Sequence, residues 1–356
     1  MPIFRYHCPK CDETVELLVP RFDSEAECPK CGSPELEKLP SVFAAVTQTG
    51  PAGCPSRRDC PSAGSHQCGC GCGCHGGHLS MNKQQLTAAL ESIGMRPGRG
   101  LGQNFLLDGN LLDYIVRLSA PQPGETVLEV GPGFGALTRK LLASGADVYA
   151  VEFDHRIAEY LRTHLEANNF HLTEADACRV NYLELLPQGR PFRAIANLPY
   201  SISTIFIARM LDLPEPPEAM FFMLQREMGE RLAAPVGTKD YGALSVRTQL
   251  RYEVKLEKIV PPEVFFPPPE VDSAIVSFRR HERYSADKEL CRLLPGVVKT
   301  VFAQRRKQLG KLLSNNYGKE KALPALEALN IPTETRPDKL SVDQYAQLTR
   351  LLFDQP

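Results

Sequence analysis

Between residues 126 and 224 strand-like apolar runs alternate with amphipathic helical stretches, and that alternation leaves few folds open to the chain. Val127-Leu128-Glu129-Val130 reads as a strand, 136–143 as a helix ended by Gly145, Val148-Tyr149-Ala150-Val151 as a second strand, and 154–168 as a helix opened by an Asp154 cap. A third strand is expected near His171-Leu172-Thr173, a fourth over Phe192-Arg193-Ala194-Ile195-Ala196, a helix over 201–211 and a fifth strand over 219–224. Strands separated by helices pair in parallel through crossovers. The expected core is therefore an α/β, doubly wound parallel sheet, with ligands at the carboxyl ends of its strands.

The amino-terminal part reads differently. Ten of the twelve cysteines fall between Cys8 and Cys74, which marks a separate module, and no export signal points to disulfides. Cys8-Pro9-Lys10-Cys11 and Cys28-Pro29-Lys30-Cys31 have the spacing of a two-knuckle, four-thiolate site. Residues 1–43 are thus expected to be a zinc ribbon in which Cys8, Cys11, Cys28 and Cys31 hold a structural zinc. Residues 44–80 turn to Gly, Pro, Ser and Cys and end in Cys68-Gly69-Cys70-Gly71-Cys72-Gly73-Cys74-His75-Gly76-Gly77-His78. Alternating glycine builds no core, so this stretch is read as a flexible linker, with a second metal site there left open. At Met81 the sequence changes character, as if an independent enzyme began there.

The chain's 356 residues exceed what one hydrophobic core usually organises, in keeping with one full α/β domain and smaller attachments. No apolar run is long enough to span a bilayer, and the first residues lack a signal-peptide core; a cytoplasmic protein without membrane association is expected. Overall charge is −1 and excludes little, but residues 279–311 hold ten Lys or Arg against three acids. A polyanion fits that excess, and a solvated helix face fits it too. Leu294, Val298, Phe302, Leu309 and Leu313 recur at helical spacing, and Ser341 with Gln344 has the form of a capping box. Residues 281–356 are read as a small helical domain beside the sheet domain of 81–280.

Two sets of residues carry chemistry. Gly131-Pro132-Gly133-Phe134-Gly135 follows the first strand, where glycines let a nucleotide approach the backbone, and Glu152, at the end of the second strand, is placed for ribose hydroxyls. A dinucleotide cofactor satisfies this much. Glu129 before the loop favours S-adenosylmethionine, as does Asp176, read as ending the third strand and as a partner for an adenine amine; a plain cap on the turn after that strand is the alternative for Asp176.

The second set is Asn197-Leu198-Pro199-Tyr200 after the fourth strand. An amide oxygen, a carbonyl stiffened by the following proline and an aromatic face suit an exocyclic amine of a nucleic-acid base. The lone pair of such a nitrogen is conjugated into its ring, so it needs orienting more than deprotonating. Methyl transfer to that amine is the expected reaction, and a turn around a buried tyrosine is the plain alternative.

In these motifs, taken in order, residues 81–353 resemble the ribosomal RNA adenine dimethyltransferases, and among them the bacterial small-subunit type. The likeness runs through Gly102-Gln103-Asn104-Phe105-Leu106, Glu129-Val130-Gly131-Pro132-Gly133, Val151-Glu152-Phe153-Asp154, Asp176-Ala177, Asn197-Leu198-Pro199-Tyr200, Phe265-Phe266-Pro267-Pro268-Pro269-Glu270-Val271-Asp272-Ser273 and Phe302-Ala303-Gln304-Arg305-Arg306-Lys307. The resemblance implies a Rossmann-like class I methyltransferase sheet. It places Asn104, Leu106, Gly131, Gly133, Glu152, Asp176 and Asn197 at the cofactor, and Asn197, Leu198, Pro199 and Tyr200 at the target base with Phe265 as a second aromatic surface. Arg305, Arg306 and Lys307 are assigned to RNA. It further implies a monomer that dimethylates two adjacent adenosines in a hairpin loop near the 3′ end of 16S rRNA, within the small subunit or its precursor. Competing readings are a large-subunit rRNA enzyme of the antibiotic-resistance type, a nucleic-acid-binding factor that has lost catalysis, and a nicotinamide dehydrogenase. The amino-terminal ribbon resembles small regulatory zinc-ribbon proteins of the FmdB type, which names no chemistry, and the usual dimethyltransferase lacks it.

Overall fold

The computed structural model describes residues 3–11, 13–18, 28–34, 37–38, 81–95, 104–284 and 287–353. The linker expected over 44–80, with its Cys/His-rich run, lies outside the described residues, as do Gly102 and Gln103. The chain divides into two compact units, Met1–His75 and Gly76–Pro356.

In the first unit β1 (Ile3–Cys8) pairs antiparallel with β2 (Glu13–Leu18) and with β3 (Glu37–Lys38). The second cysteine pair closes in a tight turn. Gly32 takes a φ of 68° there, its N–H donating to the Cys28 carbonyl at 2.8 Å.

The second unit begins with α1 (Lys83–Ser92), β4 (Phe105–Leu106) and α2 (Gly109–Ser119). The alternating part follows as β5 (Thr126–Val130), α3 (Ala136–Ala143), β6 (Asp147–Glu152), α4 (His155–His164), β7 (Phe170–Glu174), α5 (Tyr182–Leu185), β8 (Phe192–Asn197), α6 (Ser203–Asp212) and β9 (Ala219–Gln225). After α7 (Arg226–Leu232) and α8 (Ala243–Gln249) come β10 (Tyr252–Val260), β11 (Phe265–Phe266) and β12 (Ser273–Arg280). The tail is α9 (Lys288–Phe302), α10 (Leu309–Tyr317), α11 (Lys319–Ala328) and α12 (Val342–Phe353). No helix among the described residues is long and apolar enough to cross a membrane.

Seven strands form the main sheet in the order β10-β12-β9-β8-β5-β6-β7. The five expected strands are parallel, whereas β12 and β10 add antiparallel at one edge. The outermost, β10, sets Lys255 and Lys258 along a partly exposed strand, which discourages further pairing. Strand order reverses around β5, flanked by β6 on one side and β8 on the other. That reversal opens a crevice at the carboxyl ends of β5 and β8.

Both faces of the sheet are covered, so its central strands are apolar throughout. Leu128, Val130, Phe206, Phe222 and Phe278 pack on one face, and Val127, Val148, Ile195, Phe221 and Ile275 on the other. A third cluster unites the tail with Tyr241, Val246 and Leu250, so the helical tail shares its core with α8.

Two boundaries differ from expectation. The helix expected over 154–168 stops at His164, because Leu165 leaves helical geometry to bury itself with Leu161 and Phe134. The apolar series from Leu294 to Leu313 belongs to two helices. Between them Arg305 forks onto the carbonyls of Thr238 and Lys239. The capping box is formed: the Ser341 N–H donates to Gln344 Oε1 at 2.9 Å and the Gln344 N–H to Ser341 Oγ at 3.2 Å.

Phe206 is fully buried, with Tyr182 and Phe222 edge-on at 6.1 and 5.6 Å. Phe206→Ala is expected to cost about 3–5 kcal/mol in urea unfolding, since a phenyl-sized void in a two-sided core cannot collapse. A loss below about 1 kcal/mol would contradict this packing.

Candidate active site

A cavity of about 280 Å³ opens in the crevice where strand order reverses. Asn104, Leu106, Gly131, Gly133, Glu152, Asp176, Asn197, Leu198, Pro199 and Tyr200, all singled out from sequence, line it together. Glu129, Phe134 and Phe153 join them.

The glycine loop is shaped by positive φ. Gly131 and Gly133 take φ of 67° and 55°, which strains any side chain; a Cβ on Gly133 would also press on the Phe105 ring at 3.2 Å, and one on Gly131 would touch Pro199 Cδ at 3.4 Å. The loop thus touches both the Asn104–Leu106 segment and the Asn-Leu-Pro-Tyr turn. Glu152 is buried at the end of β6, and its carboxylate receives N–H donors from Phe153 and Asp154 at 2.9 Å and from Gly133 at 3.4 Å. Burial raises its pKa and those donors oppose the rise.

Asp176 stands two residues beyond β7 rather than at its end. Its Oδ1 caps the turn by accepting the Cys178 N–H at 2.7 Å, and its Oδ2 faces Arg179 at 3.5 Å. The plain capping reading and a place on the cavity wall hold together.

Asn197 ends β8. Its Nδ2 donates to the Asn104 carbonyl at 3.1 Å, which fixes which way round the carboxamide sits. Oδ1 and the Leu198 carbonyl accept no hydrogen bond from described residues. Leu198 is steadied by its N–H, which donates to the Met223 carbonyl at 3.2 Å and prolongs the β8–β9 pairing. The Pro199 carbonyl closes the turn, taking the Ile202 N–H and the Ser203 hydroxyl. Tyr200 is half-buried, its hydroxyl 2.5 Å from Ser273 Oγ at the start of β12. Burial raises its pKa against the pull of that hydrogen bond. Ser273 is the last residue of the motif that begins at Phe265, and its role in pinning a ring 73 residues away is not readable from spacing.

Phe265 must be corrected. At 3% exposure it pairs with Leu106 across β11 and β4 and packs among Leu111, Ile115 and Val260, so its ring is absent from the cavity lining. What it does is clamp the segment carrying Asn104. Arg305 also differs from expectation, because its guanidinium is committed to the Thr238 and Lys239 carbonyls. Arg306 and Lys307 are exposed and in no ion pair with described residues.

Four carboxyl residues line the cavity, Glu129, Glu152, Asp154 and Asp176, and among the described lining residues there is no Lys, Arg or His. Such a wall disfavours a pyrophosphate, which counts against the dinucleotide alternative. It fits a nucleoside bearing a positive sulfonium. Glu129 is the extreme member: 1% exposed, with Oε2 unpartnered among described atoms, its pKa pushed up to about 8 by burial, and further by Glu152, against the Thr138 hydroxyl.

In the amino-terminal unit the sulfurs of Cys8, Cys11, Cys28 and Cys31 lie within 4.8 Å of one another, with Cys8–Cys31 at 3.6 Å and Cys11–Cys28 at 3.7 Å. A zinc tetrahedron with ~2.3 Å Zn–S bonds has edges of about 3.8 Å, so the four thiolates are set for a structural zinc.

Comparison with known proteins agrees with this geometry. Residues 1–40 match a zinc ribbon domain and residues 97–354 match the family described as ribosomal RNA adenine dimethylase. The chain is 38% identical over 272 residues to the ribosomal RNA small subunit methyltransferase A of Chlamydia abortus, covering 76% of this chain and 96% of that one. The enzyme of the same name from Hahella chejuensis is also 38% identical, over 75% and 96%. Among solved structures, a dimethyladenosine transferase from Plasmodium falciparum superposes with a TM-score of 0.61 at 26% identity, over 68% of this chain and 95% of that one. The 23S rRNA methyltransferase ErmE gives 0.55 at 27%, over 70% and 100%. With the family match spanning most of its length, the chain belongs to the ribosomal RNA adenine dimethylases, and carries a zinc ribbon in front.

Proposed function

We propose that the chain uses S-adenosylmethionine to dimethylate N6 of two adjacent adenosines in a hairpin loop near the 3′ end of 16S rRNA, during small-subunit assembly, as a monomer in the cytoplasm. The observation that carries this reading is the Asn197 carboxamide. Turned by Asn104, it leaves Oδ1 and the Leu198 carbonyl as two acceptors without a donor among the described residues, beside an acidic, glycine-floored cavity.

The division of labour follows from the residues. Glu152 and Asp176 hold the ribose and adenine of the cofactor, while Asn104, Leu106, Gly131 and Gly133 wall the rest. When bound, S-adenosylmethionine supplies an electrophilic methyl whose departure leaves a neutral sulfide. The target base leaves its stack to enter. Asn197 Oδ1 and the Leu198 carbonyl each accept one N6–H, which draws that nitrogen toward pyramidal geometry and aims its lone pair, while Tyr200, pinned through Ser273, stacks on the base. Catalysis then rests on positioning and fixed dipoles. The methylated nitrogen carries a surplus proton and sheds it to water, so no strong base is needed. A second transfer has one N6–H left, and one acceptor plus stacking must suffice.

A small-subunit target is favoured because the curated relatives named for that subunit are 38% identical over 96% of their own length. The intact acceptor pair argues against a factor that has lost catalysis. In the domain plan, residues 1–43 are the ribbon, 44–80 a linker, 81–280 the catalytic domain and 281–356 a helical RNA-binding domain.

Single-turnover methylation of small subunits tests the roles. Asn197→Ala is expected to slow both transfers by roughly 10²–10³-fold, the scale of losing one preorganised dipole. Tyr200→Ala should chiefly weaken base capture, by about 1–3 kcal/mol, with Tyr200→Phe between it and the parent. An unchanged rate for Asn197→Ala sinks the acceptor assignment.

Arg306→Glu with Lys307→Glu is expected to weaken RNA binding and reduce the slope of log K against log salt by about 1–2, with cofactor affinity untouched. Equal loss of cofactor binding would reject this surface. Arg305 is left out, since its replacement would loosen the tail from the 238–239 loop.

A further inference from the structure

We propose that Glu129 lets the cavity tell the cationic methyl donor from the neutral sulfide left after transfer, holding a proton in the empty or sulfide-filled cavity and releasing it when the donor's positive charge arrives. The inference rests on the S-adenosylmethionine reading above and deepens it.

Two buried carboxyls stand on neighbouring strands, Glu129 on β5 and Glu152 on β6, and their surroundings differ. Glu152 is met by three backbone N–H groups, which suit a carboxylate. Glu129 is met by none: its Oε2 and the Thr138 hydroxyl on α3 both lack a hydrogen-bond partner among described atoms, and Thr138 offsets the rise in the Glu129 pKa only in part. The other acids of the wall are compensated from outside, Asp154 by Arg156 at 2.8 Å and Asp176 by Arg179 at 3.5 Å. No cation among the described lining residues does the same for Glu129. Two buried carboxyls that feel each other's charge do not both ionise readily at neutral pH, and the less solvated one keeps the proton. That one is Glu129, with a pKa of about 8.

A fixed positive charge inside so small a cavity removes the reason for that proton. An opposite charge within ~4–6 Å ordinarily draws a carboxyl's pKa down by ~1–3. The sign follows: a pKa high in the free protein and lower in the complex means that donor binding expels a proton, so affinity rises with pH up to about the free value. From a starting pKa near 8, donor binding at pH 7 releases roughly 0.4–0.9 proton, and the donor binds about 5–50-fold tighter at pH 8 than at pH 6. The sulfide lacks the sulfonium charge and brings no such change. The α-amino group is present in both ligands but stands near a positive charge only in the donor, so it does not cancel between them; it is the same for the parent chain and Glu129→Gln, and the part of the difference that this variant erases is the part owed to Glu129. Product is thereby released more readily than its shape alone allows.

Calorimetric titration of the full chain with S-adenosylmethionine and with S-adenosylhomocysteine tests this, in two buffers of different ionisation enthalpy at pH 7 and again at pH 6 and pH 8. The donor is expected to release more protons than the sulfide and to gain about 5–50-fold over it between pH 6 and pH 8. Glu129→Gln keeps the shape of the side chain and should erase that part of the difference while still binding the sulfide, with its thermal melt reporting that it folds. Equal proton release by the two ligands in the parent chain overturns the inference and leaves the cofactor reading standing, and this comparison needs no variant. Persistence of the undiminished difference in Glu129→Gln overturns it too. Failure of both ligands to bind the parent chain removes the inference together with the cofactor reading.

Discussion

The hydrogen bond from Asn197 Nδ2 to the Asn104 carbonyl, between residues 93 positions apart, decides which atom the carboxamide offers to the cavity. Turned the other way, the amide would present a donor to an amine that is itself a donor. The bond holds because both sides are anchored. Asn104 precedes β4, which pairs with β11 through Phe265 and Leu106, and the Leu107 N–H reaches the Val264 carbonyl at 3.0 Å. On the other side the β8–β9 pairing continues one residue past the strand to Leu198. A large part of the unit's core therefore serves to orient one side chain. Phe265 contributes from inside that core.

The cavity combines that orientation with an unusual wall. Backbone N–H groups satisfy Glu152, outward-facing arginines balance Asp154 and Asp176, and Glu129 has no counter-charge among the described lining residues. An acidic chamber with no cation among its described lining residues is a poor host for phosphates and a good one for a positively charged nucleoside. Charge thus selects the methyl donor while hydrogen-bond geometry selects the acceptor, and the crevice at the strand reversal brings the two together.

Much of this was legible in the sequence. Five parallel strands, their helices and the tail's capping box follow from periodicity, because each element's burial repeats at its own period. The residues lining the cavity were legible too, since Gly131, Glu152, Asp176 and Asn197 follow successive strands and a doubly wound sheet gathers such ends. What stayed hidden depends on tertiary partners. Nothing in Phe265 itself distinguishes a ring facing a ligand from one clamped against Leu106. Arg305 in a basic run looks free until its carbonyl partners at 238 and 239 are known. Antiparallel β10 and β12 escaped because neither is bracketed by the helix-strand rhythm that identified the others, and the Ser273 to Tyr200 contact spans two distant strands. The four knuckle cysteines lay at the opposite extreme, their spacing alone fixing the cluster.

The most direct measurement is mass mapping of modified adenosines in ribosomal RNA from cells that carry the chain, lack it, or carry it with Asn197→Ala. Two adjacent N6,N6-dimethyladenosines near the 3′ end of the small-subunit RNA should be present in the first and missing from the other two. The same pair in cells lacking the chain, undiminished dimethylation with Asn197→Ala, or dimethyladenosine that depends on the chain only in large-subunit RNA would contradict the assignment.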